Sequence, residues 1–343
     1  MTEISCPQQC VVVTDFSAPA LRSNMLQRFL LIWLILSSAI ALVWPRIGLP
    51  FDPFLLAGGN GIRGLIVVVM FCIGTLLATD EVDALFKRWP TVIVGTTIQY
   101  VSMPLLAWIM IQIVQPSPQI AAGIMIVGCV PGAMASNVLT LAARGNVSYS
   151  VSLTTCATLL SPFVVPWILK FTISNDVNYD GKAAVLMLVL TVVLPVISGH
   201  LLRRFVGGVF ERATGILQAV ANLAILGIIA IAIGLKRNEL QEITWSLLGI
   251  LAVINMGGYL AGYFGGAAAK IPESMRRALT LEVGMQNAGA GTALAIHLFG
   301  ESSPATIPCV LYTFGCMLTG TVLATIWRSF VPREEASEQP IAE

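Results

Sequence analysis

The sequence predicts an all-α membrane protein in which ten transmembrane helices form two inverted five-helix repeats, with helices 4 and 9 broken where they cross. Two observations lead to this fold class, namely the composition of the chain and a similarity between its two halves. Of the 343 residues, 56% are hydrophobic and only 11% are charged, whereas about a quarter of the residues in a soluble domain are charged. The mean hydropathy of +0.84 indicates a chain that resides in a lipid bilayer.

Ten segments are long and apolar enough to cross a bilayer, whose hydrocarbon core of about 30 Å needs about 20 helical residues. They cover residues 29–45, 61–79, 91–114, 119–143, 147–172, 183–202, 215–235, 243–268, 278–299 and 304–327. Residues 1–28 have neither the basic start and apolar core of a secretion signal nor the Arg-rich pattern of a transit peptide, so we expect a polar, disordered N-terminal tail. Residues 329–343 form a polar C-terminal tail.

The charge and the cysteines argue against several classes of protein. The net charge is +1 and the 19 basic residues are scattered along the chain, so we expect no nucleic-acid partner. Cys6 and Cys10 have no histidine or further cysteine nearby, which makes them a weak signal for a metal. The other cysteines fall in apolar runs, where a thiol behaves as a small hydrophobic group: Cys72, Cys129, Cys156, Cys309 and Cys316. We expect no cofactor and no metal beyond coupling ions.

The distribution of Lys and Arg predicts the orientation of the chain. With ten spans, both termini lie on one side of the membrane. Thirteen of the 19 basic residues then fall on the side of the termini and six on the other side. Because cytoplasmic loops carry an excess of Lys and Arg, we expect a multi-pass protein of the cell (inner) membrane with both termini in the cytoplasm.

An internal repeat relates the two halves of the chain. A shift of 156 residues without gaps superimposes Trp89 on Trp245, Gln99 on Asn255, Gly128 on Gly284 and Ser136 on Thr292. Spans 3 and 4 thus resemble spans 8 and 9, which predicts one repeat over residues 29–172 and another over 183–328. Because each repeat has an odd number of helices, the second copy enters the membrane from the face opposite to the first. Many secondary transporters have this inverted arrangement.

Spans 4 and 9 contain residues that favour a break in the middle of the helix. Pro131 removes a backbone donor, and Gly132 and Gly284 tolerate non-helical angles. Unwound backbone occurs at membrane depth only where it is buried in protein or lines a cavity. Freed carbonyls in such a segment bind cations, and the N-termini of half-helices attract anions.

Glu282 is the one carboxylate within a predicted span, and no Lys or Arg lies near it in the sequence. A charge at that depth is costly unless it is compensated, so a cation or a proton is expected there. Neutral oxygen donors occur in the neighbouring spans: Gln99, Ser136, Asn137, Ser150, Thr154 and Gln286. Such hard ligands suit alkali or alkaline-earth ions. A single carboxylate among neutral oxygens favours sodium over calcium.

Three segments carry a family resemblance: residues 282–287 (Glu-Val-Gly-Met-Gln-Asn), 135–138 (Ala-Ser-Asn-Val) and 143–147 (Ala-Arg-Gly-Asn-Val). With them, residues 29–328 resemble the bile acid:sodium symporter family, in particular its bacterial members. The resemblance implies two sodium sites behind the crossing of the broken helices. The first would use Ser136, Asn137, Ser150, Thr154 and Glu282, and the second Gln99, Glu282, Gln286 and the carbonyls of Val283 and Met285.

The resemblance also implies a substrate cavity beside Asn287 and Met134. The chain departs from bacterial members at Met134, where they have threonine, and at Gly315 and Cys316, where they have a His-Asn pair. Family substrates include bile acids, steroid sulfates, pantothenate and small oxoacids. We therefore expect a symporter that moves a small organic anion together with sodium by alternating access.

Three alternatives compete with sodium symport. Glu282 could bind a proton instead of sodium, which would give a proton-coupled organic anion transporter. A metalloid exporter of related fold could engage a soft oxyanion through Cys129 or Cys156, but it would not require the neutral oxygens beside Glu282. An intramembrane enzyme would need a nucleophile with a base, or a set of metal ligands, and Glu282 has no such partner in the sequence.

Overall fold

The fold was analysed in a computed structural model that describes residues 30–47, 49–77, 88–173, 179–238, 244–330 and 332. Cys6, Cys10 and nearly all of both predicted tails lie outside the described residues. Within them the fold is helical: α1 (Leu30–Val43), α2 (Pro53–Leu76), α3 (Trp89–Val114), α4 (Pro118–Cys129), α5 (Ala135–Ala142), α6 (Val147–Thr172), α7 (Gly181–Leu188), α8 (Leu194–Lys236), α9 (Trp245–Ala268), α10 (Glu273–Gly284), α11 (Ala288–Phe299) and α12 (Thr306–Arg328). A 3₁₀ turn (Trp44–Ile47) follows α1, and a π turn (Val189–Val193) joins α7 to α8.

Among the described residues, seven helical segments are long and apolar enough to cross a membrane. These are Pro53–Leu76, Trp89–Val114, Val147–Thr172, Gly181–Val206, Ala213–Lys236, Trp245–Ala268 and Thr306–Arg328. Shorter apolar helices occur at Leu31–Ile47, Pro118–Cys129 and Ala288–Phe299. Large hydrophobic side chains such as Phe163, Phe205 and Trp245 are exposed on the outer surface, as a lipid-facing surface requires. The prediction of an all-α, multi-pass membrane protein is confirmed.

The predicted start of the second span was too late. α2 begins at Pro53 instead of residue 61, because Asp52 caps it by accepting hydrogen bonds from the N–H groups of Phe54 and Leu55. The helix is interrupted at Gly58, whose backbone angles are not helical. The predicted sixth and seventh spans, 183–202 and 215–235, correspond to the apolar segments Gly181–Val206 and Ala213–Lys236, which meet within α8 at a kink at Val206.

The helices pack as two groups with an open space between them. α8 packs most extensively on α2 and also on α1, while α3, α4, α5, α6, α9, α10, α11 and α12 pack around one another. On the first group, Arg203 donates hydrogen bonds to the carbonyls of Thr75 and Leu76 at the C-terminal end of α2. These bonds satisfy carbonyls that have no partner within the helix.

Arg277 holds the start of α10 to two neighbouring helix ends. α10 begins at Glu273, five residues before the predicted start of span 9, and it carries Arg277 into the interior, where this side chain is only 2% exposed. Its Nη2 pairs with Glu273 at 2.7 Å. Its Nη1 donates to the carbonyls of Ala143 (3.0 Å) and Phe330 (2.9 Å). Both terminal nitrogens of the guanidinium are therefore engaged, although the predicted limits of span 9 leave Arg277 just outside the helix.

We predict that Arg277→Leu lowers the free energy of unfolding by about 3 kcal/mol, because it leaves buried carbonyls and Glu273 without their donor. Thermal unfolding in detergent, with and without the substitution, measures this effect. Arg328→Leu is the control, since Arg328 lies on the exposed surface at the end of α12 and an exposed substitution changes stability by about 0.5 kcal/mol or less. Equal destabilisation by both substitutions would contradict the assigned role of Arg277.

Candidate functional site

Two helices are interrupted in the interior of the second group. α4 ends at Cys129 and α5 starts at Ala135, so that Pro131 and Gly132 lie in the unwound link between them. α10 ends at Gly284 and α11 starts at Ala288. Each interruption leaves carbonyls and N–H groups without partners in their own helix, and both interruptions are buried or nearly so.

The two unwound links pair with each other in antiparallel fashion. Gly132 and Gln286 form an isolated bridge, the N–H of Ala133 donates to the Met285 carbonyl at 2.7 Å, and the N–H of Asn287 donates to the Pro131 carbonyl at 2.8 Å. The links thus satisfy a part of each other's backbone, which buried backbone requires. This crossing is the centre of the candidate site.

Glu282 lies in the last turn of α10 and is completely buried beside the crossing. Its Oε2 accepts hydrogen bonds from Ser136 Oγ at 2.5 Å and from Thr154 Oγ1 at 2.8 Å. Its Oε1 is also buried and accepts no hydrogen bond from the described residues. A Cβ atom at position 132 would overlap this carboxylate, so the approach of the α4–α5 link to Glu282 depends on glycine at that position.

The structure brings the first predicted set of ligands together around Glu282. Thr154 Oγ1 lies 3.4 Å from Asn137 Oδ1 and 3.1 Å from the carbonyl oxygen of Ser150. Thr140 Oγ1 lies 3.3 Å from Ser150 Oγ. Thr140 was missed in the sequence, although it follows Ser136 by one helical turn and therefore lies on the same face of α5.

The second predicted set also assembles, on the α3 side of the crossing. Gln99 Nε2 approaches Gln286 Oε1 at 3.4 Å, and Gln286 Nε2 donates to the Val283 carbonyl at 2.9 Å. Gln99 is 1% exposed, and its Oε1 accepts no hydrogen bond from the described residues. Met285 contributes its carbonyl to the crossing itself. The side-chain oxygen of Gln99 is thus a buried acceptor that a cation can use.

The donor atoms fit a hard, monovalent cation. Among the described residues, Glu282 forms no salt bridge, and all its polar neighbours are neutral hydroxyls or amides. No group of three His, Cys, Asp or Glu side chains suitable for a metal occurs in the part of the chain that the structure describes. Two buried oxygens without a protein donor, on Glu282 and Gln99, match the preference of alkali ions for oxygen ligands.

A cavity adjoins the crossing. Met134 and Asn287, the two predicted cavity residues, both line it. Its wall is mainly apolar and contains no charged side chain among the described residues. The polar side chains on the wall are Gln218, Asn222, Gln286, Asn287, Thr313 and Thr321.

Sequence reasoning missed one wall of this cavity. Gln218 and Asn222 are one turn apart on α8, and their spacing within an apolar segment is a signal that could have identified a polar face. Of the two departures in the last helix, Cys316 lines the cavity. Gly315 lies on the exposed outer surface, where nothing lies within 4 Å of a Cβ built on it. The substitution at Gly315 therefore does not alter the cavity wall.

The profile of the Sodium Bile acid symporter family matches residues 64–243, more than half of the chain. The chain belongs to this family. It is 30% identical to the "Uncharacterized sodium-dependent transporter YocS" of Bacillus subtilis (strain 168), over 79% of the chain and 84% of that protein. It is 27% identical to the "Probable sodium/metabolite cotransporter BASS1, chloroplastic" of Arabidopsis thaliana, over 78% of the chain and 67% of that protein.

A third relative is the "Hepatic sodium/bile acid cotransporter" of Rattus norvegicus, which is 27% identical over 65% of the chain and 63% of that protein. All three relatives are named as transporters or cotransporters. The chain is accordingly a transporter of the Sodium Bile acid symporter family and not an enzyme. The predicted family membership is confirmed.

We predict that Gly132→Ala weakens sodium-dependent transport about tenfold, because overpacking costs about 1–3 kcal/mol and 1.4 kcal/mol corresponds to a factor of ten. Uptake as a function of sodium concentration measures it. Gly315→Ala adds the same methyl group in open space and should behave as the wild type. Wild-type sodium dependence of the Gly132 variant would show that the link can move away from Glu282 without consequence.

Proposed function

We propose that the protein is a sodium-coupled symporter of a small organic anion that works by alternating access. The observation that carries this proposal is the buried, unpaired carboxylate of Glu282, surrounded by neutral oxygens at a crossing of unwound segments that also borders the cavity. An ion and a substrate bound there would contact the same backbone link. Each would then favour the same conformation and raise the affinity for the other.

The proposed topology has ten crossings. Seven come from the long segments, and three from α1, from α4 with α5, and from α10 with α11. The repeats would cover residues 29–172 and 183–328, flanked by the polar segments 1–28 and 329–343. Two features support the repeat: α3 and α9 each start at a tryptophan, and a shift of 156 residues moves the end of α6, Thr172, onto the end of α12, Arg328. The excess of basic residues supports a cytoplasmic location for both termini of a protein in the cell (inner) membrane.

The proposed ion sites are those implied by the family. One sodium ion would bind Ser136, Asn137, Ser150, Thr154 and Glu282, and a second would bind Glu282, Gln99, Gln286 and the carbonyls of Val283 and Met285. The hydroxyls of Ser136 and Thr154 both lie on Glu282 Oε2 and leave Oε1 without a protein donor among the described residues. The buried oxygens of Glu282 and Gln99 then supply the remaining coordination.

The cavity supports an anion with an apolar body. Its wall is mainly apolar and has no charged side chain among the described residues, so the negative charge must be met by other means. α11 starts beside the cavity, with Asn287 as its N-cap, and α5 starts after Met134. Helix N-termini carry a partial positive charge that favours an anion. The names of two relatives, a metabolite cotransporter and a bile acid cotransporter, are compatible with such a cargo.

The positions of Cys129 and Cys156, the two thiols considered for binding a soft oxyanion, do not support the metalloid exporter alternative. Cys129 is completely buried, and neither Cys129 nor Cys156 belongs to the described cavity wall. Proton coupling through Glu282 is distinguished from sodium coupling by the transport experiment below.

Alternating access would require the two groups of helices to separate at one end. The cavity lies between the C-terminal half of α2, with α8, and the residues just after the crossing. In the proposed orientation it opens towards the cytoplasm. At the opposite end, Glu301 Oε1 accepts a hydrogen bond from the N–H of Gly59 at 2.7 Å, which joins the α11–α12 link to α2. Rocking of the groups would break this contact as the outer side opens.

The proposal predicts that purified protein in liposomes takes up a member of an organic anion panel, such as taurocholate, pantothenate or a small oxoacid, only with an inward sodium gradient. Glu282→Ala should abolish this uptake, because it removes the one charged ligand. Glu282→Gln should fold normally and still lose sodium-coupled uptake.

Asp180→Asn is a matched control, because it also removes a carboxylate while asparagine still caps the start of α7. It should transport as the wild type. Uptake that ignores sodium and follows a pH gradient would overturn sodium coupling in favour of proton coupling. Full uptake by both Glu282 variants would show that the ion site lies elsewhere.

A further inference from the structure

The carbonyl of Gly284, at the end of α10, receives two side-chain hydrogen bonds from other helices. Asn255 Nδ2 on α9 and the Tyr312 hydroxyl on α12 each donate to it at 2.8 Å. Both side chains are buried, at 2% and 1% exposure. Gln99, on α3, contacts Gln286 in the same α10–α11 link.

These two donors replace the bond that a continuous helix would make. In an unbroken α-helix, the N–H of Ala288 would donate to the Gly284 carbonyl. Here it donates to the Gln286 carbonyl at 2.8 Å. The Gly284 carbonyl would be a buried acceptor without a donor if Asn255 and Tyr312 were absent, and buried acceptors of this kind are costly.

The donors are themselves oriented by a polar network. Thr319 Oγ1 donates to Asn255 Oδ1 at 2.7 Å, which directs the amide nitrogen towards Gly284. The Tyr259 hydroxyl lies 3.0 Å from Thr319 Oγ1. A Cβ atom at position 284 would overlap the ring of Tyr259. The Gly284 peptide is therefore fixed both by hydrogen bonds at its oxygen and by a ring against its α-carbon.

We propose that Asn255 and Tyr312 are positioning residues for sodium, acting as a two-donor clamp on the Gly284 carbonyl. Gly284 lies between Val283 and Met285, whose carbonyls belong to the proposed second sodium site. Holding the central peptide removes its own freedom to rotate, so that each neighbouring carbonyl can turn only about the dihedral angles at the α-carbon it shares with that peptide. This inference rests on the proposed function and adds residues that the family resemblance did not implicate.

The test measures binding of ²²Na⁺ to purified full-length protein in nanodiscs, so it needs no transported substrate. Tyr312→Phe keeps the ring and removes one donor, and Asn255→Leu removes the other at similar volume. We expect each to weaken sodium binding about 3- to 10-fold, the effect of one lost buried hydrogen bond. Competition by lithium should also become stronger relative to sodium, because a loosened carbonyl pair discriminates less by ion size.

Tyr179→Phe is the matched control. It removes a tyrosine hydroxyl that donates to a helix carbonyl, that of Pro166 at 2.9 Å, and neither residue belongs to a proposed ion site. Its sodium affinity and its preference for sodium over lithium should be those of the wild type. If Asn255→Leu fails to fold, sodium binding is measured in Thr319→Val instead. This substitution keeps both donors to the Gly284 carbonyl and removes only the hydroxyl that orients Asn255. It should weaken sodium binding less than Tyr312→Phe does.

The outcomes separate the inference from the proposed function. Wild-type sodium affinity and ion preference in folded Tyr312→Phe and Thr319→Val would overturn the clamp while leaving sodium symport intact. Lower thermal stability with unchanged ion preference would likewise assign these residues to folding alone and overturn the inference. A wild-type protein that binds no ²²Na⁺ would overturn the proposed function and the inference with it.

Discussion

The interaction on which the rest of the structure depends is the antiparallel pairing of two unwound segments inside a helical protein. Backbone groups that leave a helix within a bilayer have no water to bond with, so each segment needs the other: Ala133 bonds to Met285, and Asn287 bonds to Pro131. The pairing places Glu282 against Ser136 and Gly132. It also turns the starts of α5 and α11 towards the cavity.

The crossing joins two chemically different compartments. On one side lies a cluster of hydroxyls and amides around Glu282, and on the other lies a cavity with a mainly apolar wall. Gln286 belongs to both, because it contacts Gln99 and also lines the cavity. An ion on the polar side and an organic molecule in the cavity would therefore be separated by a single layer of backbone. Short-range coupling of this kind needs no relay through distant residues.

The sequence was most informative where a residue type decides the structure locally. Hydropathy predicted the membrane class, and Pro131 with the glycines predicted where helices would break. Predicted helix limits were wrong where a charged side chain is buried by tertiary contacts. α10 starts at Glu273, earlier than predicted, because Arg277 donates to three carbonyls and pairs with a carboxylate in the interior. Two further features could not be predicted, because they depend on which helices distant in sequence pack together. They are the polar cavity wall of Gln218 and Asn222 and the hydrogen bonds of Asn255. Sodium itself stays a prediction from the donor set and the family.

The single intramembrane carboxylate makes the proposed repeats unequal. Shifted by 156 residues, Glu282 corresponds to Ile126, which is completely buried, and Asn137 and Thr154 correspond to Ala293 and Val310. The position that corresponds to the carboxylate is thus hydrophobic, whereas Ser136 and Ser150 correspond to the polar residues Thr292 and Thr306. A backbone with approximate twofold symmetry would place inward-open and outward-open forms near equal energy, while the chemistry of one half alone carries the ions. Duplication of a five-helix unit would then account for the two alternating conformations. Divergence of one copy, which alone binds ions, would allow an ion gradient to drive transport in one direction.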